Sequence, residues 1–322
     1  MVTKFISVII PTYNRKDILK KTLESLFKQT YPKDAYDIIV VIDGSTDGTE
    51  TMIKSLIPPC ELRYFKQEHH GMPVAINVGI RNARGELILL TDDDIIADPH
   101  LLQEHTAYHL ESNGTAVLGY VPLSPEIKRT PLINYINHWI EHNFKQREKP
   151  GYTLSFRDFH GGNASVQKKY LLEVGGFDED FTTYGCPDLE LGYRLQKQGL
   201  TFKYNPYAIG YHYIVRNFES WCKYWYLEGR ADVLFYQKHP EAKPQLRLSM
   251  YFNCPFFARM VRELLLKSTK KIDFPIQLLH QIIRGFEFFG YQKSLFLLYE
   301  LANDFYYWKG ALSRPIRFTL RD

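Results

Sequence analysis

Three adjacent carboxylates, Asp92-Asp93-Asp94, follow the apolar run Glu86–Leu90. Like charges at successive positions repel, so the run is costly at a strand end unless a cation or hydrogen bonds offset it. A hard divalent ion held by one or two carboxylates plus substrate phosphates would do so. In an extended segment Asp92 and Asp94 point to one side and Asp93 to the other. One of the pair is then placed to hold metal and the other to accept from a ribose hydroxyl. A solvated turn, or an N-cap for the helix near Pro99, explains the same residues without a ligand.

Three further segments carry chemistry-bearing residues. In Asp43-Gly-Ser-Thr-Asp-Gly48 the first acid ends an apolar run, Ile38–Ile42, and can accept from a base N–H. A capped strand-to-helix turn accounts for Ser45 to Gly48 but not for an acid at position 43. In His160-Gly-Gly-Asn-Ala-Ser165 two glycines let a backbone approach a ligand closely, or simply make a turn. In Gly185-Cys-Pro-Asp-Leu-Glu-Leu-Gly-Tyr-Arg194, Pro187 suits a first helical turn, and Asp188 sits where a helix dipole favours an anion. An ionised acid there can serve as a general base. The pairs His105/His109 and His138/His142 are spaced i, i+4 but lack the Glu of an HExxH zinc site. Both are expected on solvated helix faces. His212 ends a short apolar run, where a buried, hydrogen-bonded histidine is the plain alternative to a ligand.

The elements that must position these residues alternate. Phe5–Ile10, Tyr36–Ile42, Leu62–Phe65 and Glu86–Leu90 read as strands; Lys16–Gln29, Thr49–Leu56 and Pro73–Ala83 read as helices. Strand–helix alternation predicts a mostly parallel, Rossmann-like α/β sheet flanked by helices. Ligands in such sheets bind outside the carboxyl ends of the strands. Pro11-Thr-Tyr-Asn-Arg15, Asp43–Gly48 and Thr91–Asp94 all stand there. Beyond Pro99 the pattern loosens into helical stretches and Gly-rich loops. From Phe218 the chain reads as helical and aromatic, so the expected organisation is a catalytic domain over 1–240 and a helical C-terminal extension over 241–322.

Composition narrows the classes. Aromatic residues at 15% of 322 exclude a disordered chain. A net charge of +4 is too small to argue for nucleic acid, and no nucleic-acid partner is expected. Thirteen Lys and Arg against seven Asp and Glu in residues 241–322 place the whole positive excess in the C-terminal helices. Those helices read either as packing against protein or as an interfacial surface reaching a lipid-linked acceptor. Cys60, Cys186, Cys222 and Cys254 form no CxxC pair, which fits a reducing compartment. No targeting segment or 18-residue apolar run is visible, so a cytoplasmic location is expected, peripheral at the inner face of a membrane at most.

Taken in order, these segments resemble the family 2 glycosyltransferases of the GT-A fold over about Ser7 to Pro240. Ser7–Asn14 resembles the family's opening strand and nucleotide-facing turn, and Asp43–Gly48 its second motif. Asn77, Gly79 and Ala83–Glu86 match the segment before the metal site, and Thr91–Asp94 resembles the DxD motif. Gly161-Gly-Asn163 resembles the acceptor-side loop, and Val174–Asp178 a further hallmark. The resemblance implies donor-nucleotide contacts at Pro11, Thr12, Tyr13, Asn14, Asp43, Asp92 and Asp93. It implies Mn²⁺ or Mg²⁺ on Asp94 with His212 nearby, a sugar loop at Gly161, Gly162 and Asn163, and Asp188 as the catalytic base. The implied reaction is inverting transfer from a nucleotide-diphosphate sugar, most often a uridine one, to a glycan or lipid-linked saccharide, as in polysaccharide biosynthesis.

Three departures stand out: Ile42 replaces the first Asp of the second motif, Pro187 the Glu before the catalytic acid, and Ile76 an Arg. Glu190 is the candidate to supply the missing Glu. An aspartyl-phosphate phosphotransferase, a sugar-nucleotide hydrolase or nucleotidyltransferase, and a non-catalytic nucleotide-sugar or carbohydrate-binding module are the competing readings.

Overall fold

A computed structural model describes residues 4–111, 114–182, 187–251, 256–268, 274–289 and 292–314. Gly185, Cys186 and Cys254 lie outside these. The chain forms two compact units. Of the described residues, one unit comprises those within Met1–Ile127, Trp139–Thr182 and Pro187–Val215; the other gathers Lys128–His138 and those from Arg216 onward.

The first unit opens with β1 (Ile6–Thr12), α1 (Lys16–Phe27), β2 (Tyr36–Asp43), α2 (Thr49–Ser55), β3 (Glu61–Gln67), α3 (Met72–Asn82) and β4 (Leu87–Thr91). β1 pairs in parallel with β2 and β4, and β2 with β3. In β1, β2 and β4, apolar runs rich in Ile, Val and Leu bury both strand faces, while β3 at the sheet edge is only half-buried. Ile6, Val8 and Ile10 cluster with Leu19, Leu23 and Leu26 of α1, while Ile9 on the other face is equally sealed. Burial on both faces is what helices on both sides of a parallel sheet require.

The chain continues through β5 (Ile95–Ala97), α4 (Leu101–Glu111), β6 (Thr115–Tyr120), α5 (Pro131–Arg147), β7 (Asn163–Gln167), α6 (Lys168–Glu173), α7 (Pro187–Lys197) and β8 (Thr201–His212). The eight strands form one mixed sheet in the order β3-β2-β1-β4-β7-β6-β8-β5. β7 runs antiparallel between β4 and β6. Asn163, expected in a loop, therefore opens an inner strand, Asn163–Gln167. Asn-Ala-Ser-Val-Gln has one β-branched residue, and its conformation comes from neighbours on both edges rather than from propensity.

In the second unit, α8 (Phe218–Lys238), α9 (Phe256–Ser268), α10 (Phe274–Phe289) and α11 (Gln292–Ala311) are helical, as expected. The α8–α11 contact is backbone on backbone. A Cβ at Gly229 would lie 2.0 Å from the Tyr307 carbonyl oxygen, and one at Gly310 1.9 Å from that of Tyr226. Around this crossing Tyr299, Phe305, Tyr307 and Trp308 are fully buried. Among the described residues, no helix is long and apolar enough to cross a membrane.

Candidate active site

The end of β4 sets the acids. Asp93 turns inward, and its Oδ2 accepts from Thr12 Oγ1 at 2.7 Å, while Thr22 Oγ1 donates to its carbonyl at 2.8 Å. Asp94 faces the end of β8, with its Oδ2 3.4 Å from His212 Nε2. The cation that balances these acids is one the sequence reading passed over. Arg15 sets Nη1 3.0 Å from Asp93 Oδ1 and Nη2 2.7 Å from Asp94 Oδ2. Burial opposes ionisation at all three acids, but the outcomes differ. It lifts Asp92 to about 7, helped by the Asp94 and Asp188 charges. It lifts Asp93 to about 6 against the pull of Arg15. At Asp94, His212 and then Arg15 outweigh burial and hold the carboxyl well below the usual carboxylate range.

Asp188, in the first turn of α7, joins this group across the glycine pair. A Cβ on Gly161 would lie 2.6 Å from Asp188 Oδ1, and one on Gly162 2.8 Å from Asp92 Oδ2. The two carboxylates rest close against the glycine α-carbons, so a side chain at either position would displace the carboxylate beside it. Thr91 Oγ1 ties the pair to β4 through the Gly162 carbonyl at 3.1 Å. Asp188 Oδ1 is buried and has no hydrogen-bond partner among the described residues. Burial raises its carboxyl to about 6, partly opposed by the Gly161 N–H.

Asp43 has the opposite surroundings. Its Oδ1 accepts from Gln67 Nε2 at 2.7 Å and the His70 N–H at 2.9 Å; its Oδ2 accepts from the Gly71 N–H at 2.9 Å. His69 Nδ1 also lies 2.9 Å from Oδ2. Beside it the exposed Tyr13 ring stacks on His69, centroids 4.0 Å apart and planes 20° from parallel. Pro11 and Thr12 are the buried last residues of β1. Asn14 takes a left-handed φ of 52°. Its N–H donates to Ser45 Oγ at 2.9 Å and its Oδ1 accepts from the Thr46 N–H at 2.8 Å. The Lys16 N–H donates to Asp47 Oδ2 at 2.8 Å. The Ser45–Asp47 segment thus clamps the turn after β1, and Gly48 is the N-cap of α2.

A buried polar layer lies behind the glycines. Asn163 is fully buried and does not face the crevice. Its Nδ2 donates to the Ala208 carbonyl at 2.9 Å, and His105 Nε2 lies 2.8 Å from its Oδ1. Ser165 Oγ bridges His105 Nδ1 at 2.9 Å and His109 Nε2 at 2.8 Å. These bonds fix one proton order: His105 carries its proton on Nε2, accepts from Ser165 on Nδ1, and Ser165 accepts from His109. Burial lowers His105 to about 4 and His109 to about 3, so both rings stay neutral near pH 7. The expectation of a solvated face is corrected for this pair, because β7 presents polar side chains to α4. It holds for His138 and His142, which are exposed.

Two other motifs also resolve into supports. Asn77 on α3 bonds both backbone groups of Phe177 at 2.8 Å, which docks the Val174–Asp178 turn. Glu190 is buried in a two-pronged pair with Arg194, both contacts 2.7 Å, so it does not supply the missing acid beside Asp188.

Among the described residues no three His, Cys, Asp or Glu form a closed metal cage. Asp94 and His212 nevertheless converge, and a carboxylate completed by substrate phosphates is the arrangement that suits Mg²⁺ and its relatives. The residues present fit such an ion.

Comparison with known proteins agrees with the fold. The family model "Glycosyl transferase family 2" matches residues 7–175, and "N-terminal domain of galactosyltransferase" matches residues 141–217. The chain is 30% identical over 236 residues to chondroitin synthase from Escherichia coli, covering 64% of this chain and 34% of that protein. It is 32% identical over 223 residues to validoxylamine A glucosyltransferase from Streptomyces hygroscopicus subsp. limoneus, covering 61% and 48%. It thus spans half or less of the length of these two relatives. The fold matches that of the mannosyltransferase PcManGT from Pyrobaculum calidifontis, solved with GDP-Man and Mn²⁺. The TM-score is 0.66 at 19% identity, over 98% of this chain and 89% of that one.

Proposed function

Because the chain belongs to glycosyltransferase family 2, we propose that it moves a sugar from a nucleoside-diphosphate sugar to a hydroxyl of a saccharide or lipid-linked saccharide, inverting the anomeric carbon. The observation that carries this reading is Asp188 Oδ1: a buried carboxylate oxygen, unpartnered among the described residues, set against the same glycine pair as Asp92. A carboxylate raised to about 6 is ionised at neutral pH yet a stronger base than an ordinary one. It takes the proton of the acceptor hydroxyl while that oxygen bonds to the anomeric carbon. The bond from that carbon to the diphosphate oxygen breaks on the opposite face, so one displacement inverts configuration.

The donor assignments follow the same geometry. The Tyr13–His69 stack offers a flat surface for a base beside Asp43. Asp92 would accept from a ribose hydroxyl. Asp94 and His212 would hold Mn²⁺ or Mg²⁺, which supplies charge stabilisation to the departing diphosphate. A uridine nucleotide is the first choice, with guanosine next, since PcManGT was solved with GDP-Man.

A polysaccharide acceptor is in keeping with the chondroitin synthase relative. Peripheral membrane contact through the C-terminal helices is part of the proposal. Phe256, Met260 and Leu264, at i, i+4 and i+8 of α9, are 80%, 48% and 67% exposed. Flotation with anionic liposomes tests it: protein left at the bottom of the gradient argues against it. A cytoplasmic site of action fits the free thiols of Cys60 and Cys222.

The donor assignment is tested by melting temperature across nucleoside diphosphates with and without Mn²⁺. A metal-dependent rise with one nucleotide is the expected result. No rise with any would move a non-catalytic module ahead of an enzyme.

A further inference from the structure

The cation between Asp93 and Asp94 is the guanidinium of Arg15, and its placement is built rather than incidental. Its two Nη atoms reach one oxygen of each acid, at 3.0 and 2.7 Å. The backbone on either side is pinned, by Ser45 and Thr46 at Asn14 and by Asp47 at Lys16. Asn14 is the one non-glycine with positive φ among the described residues, a conformation uncommon for a side-chain-bearing residue and held here by its neighbours. The Arg15 side chain itself is 44% exposed, so it can swing outward while its backbone stays fixed. Asp94 Oδ2 is shared between Arg15 and the His212 side, where a divalent ion would sit. A guanidinium and a divalent cation at one carboxylate oxygen repel, so the arrival of the second weakens the hold on the first.

We propose that Arg15 is a positioning residue that couples cation and diphosphate binding. In the free protein it neutralises Asp93 and Asp94; when the cation arrives it is released toward the donor's diphosphate, which a planar guanidinium binds through paired donors. The inference rests on the nucleotide-sugar reading above.

The test reads binding rather than turnover. Free Mn²⁺ is followed by electron paramagnetic resonance, alone and with UDP or GDP. Wild type should bind Mn²⁺ weakly by itself and about tenfold or more tighter with the nucleotide. Arg15→Ala should bind Mn²⁺ alone about tenfold tighter than wild type, with less than about threefold further tightening by nucleotide. Arg15→Lys, which keeps the charge but not the fork, should fall between. Equal Mn²⁺ affinity in wild type and Arg15→Ala, or undiminished nucleotide coupling, overturns the proposal. Should the variants fail to fold, the Arg15 Nε–H resonance of wild type decides: it should shift on adding Mg²⁺ with nucleotide, and a fixed resonance overturns the idea. Wild type binding neither Mn²⁺ nor either nucleotide defeats the nucleotide-sugar reading as well; wild type binding both, with Arg15→Ala unchanged, defeats this inference alone.

Discussion

Asp43, buried at the end of β2, and Asp188, half-buried in the first turn of α7, are acids at the ends of regular elements with opposite surroundings. Asp43 receives two backbone N–H groups and the Gln67 amide, with His69 against it. Asp188 has a buried oxygen with no donor among the described residues, and it lies near a second raised acid, Asp92. Charge-assisted hydrogen bonds are worth about 1.5–3 kcal/mol each, so Asp43 stitches the end of β2 to the loop before α3. A buried carboxylate oxygen left without a donor costs stability instead, and the Gly161 N–H only partly offsets the burial of Asp188. A cost of that kind is retained where the acid has work to do, and the Asp188 corner is where reactive groups are expected.

Substitutions can break this contrast, and the largest effect is expected on turnover. Asp188→Asn keeps the shape and removes the base, so transfer should fall by roughly 10²–10⁴-fold with nucleotide binding intact. Initial rates and a nucleotide titration check both halves; near-normal turnover would remove Asp188 from the role. Next comes Gly161→Ala, whose Cβ would lie 2.6 Å from Asp188 Oδ1. The carboxylate must move, and a misplacement near 1 Å costs up to about 10²-fold in rate. Its melting temperature should change little, because the end of one side chain gives way.

A smaller effect concerns pH. The folded-state carboxyl of Asp188 is raised to about 6 from an ordinary 3.8. Between those values the folded protein holds a proton that the unfolded chain releases, so this group's contribution to stability falls as pH rises through that window. Melting curves without cations should show Asp188→Asn gaining on wild type from pH 4 to pH 7, and turnover of wild type should decline below about pH 6. A constant difference between the two proteins would mean that Asp188 titrates normally. At the small end, His142→Ala on the exposed face of α5 should stay within about 0.5 kcal/mol of wild type in a denaturant titration.

Much of this was legible in the residues. Strands β1, β2 and β4 declare themselves through continuous apolar runs followed by Asn, Asp and Gly. The acids at 43, 92–94 and 188 follow from their places at element ends. What the sequence hid was long-range. Arg15 is a single arginine in a turn, and its partners lie some eighty residues on. Ser165 and Asn163 sit on an inner strand whose residues have little β propensity. The burial of His105 and His109 did leave a signal: they fall in helical phase with Leu101, which is fully buried. Reading the phase of that whole face, rather than the polarity of two residues, would have found it.

The most direct test of the contrast is the melting temperature of Asp43→Asn beside that of Asp188→Asn, at pH 7 and without nucleotide or metal. Asp43→Asn turns an acceptor toward an amide among donors, and should lose about 2–3 kcal/mol, or roughly 5–10 °C. Asp188→Asn should melt at or above the wild-type temperature. If Asp188→Asn is the one that collapses while Asp43→Asn is neutral, the acids have been assigned the wrong way round, and Asp188 serves the fold rather than the reaction.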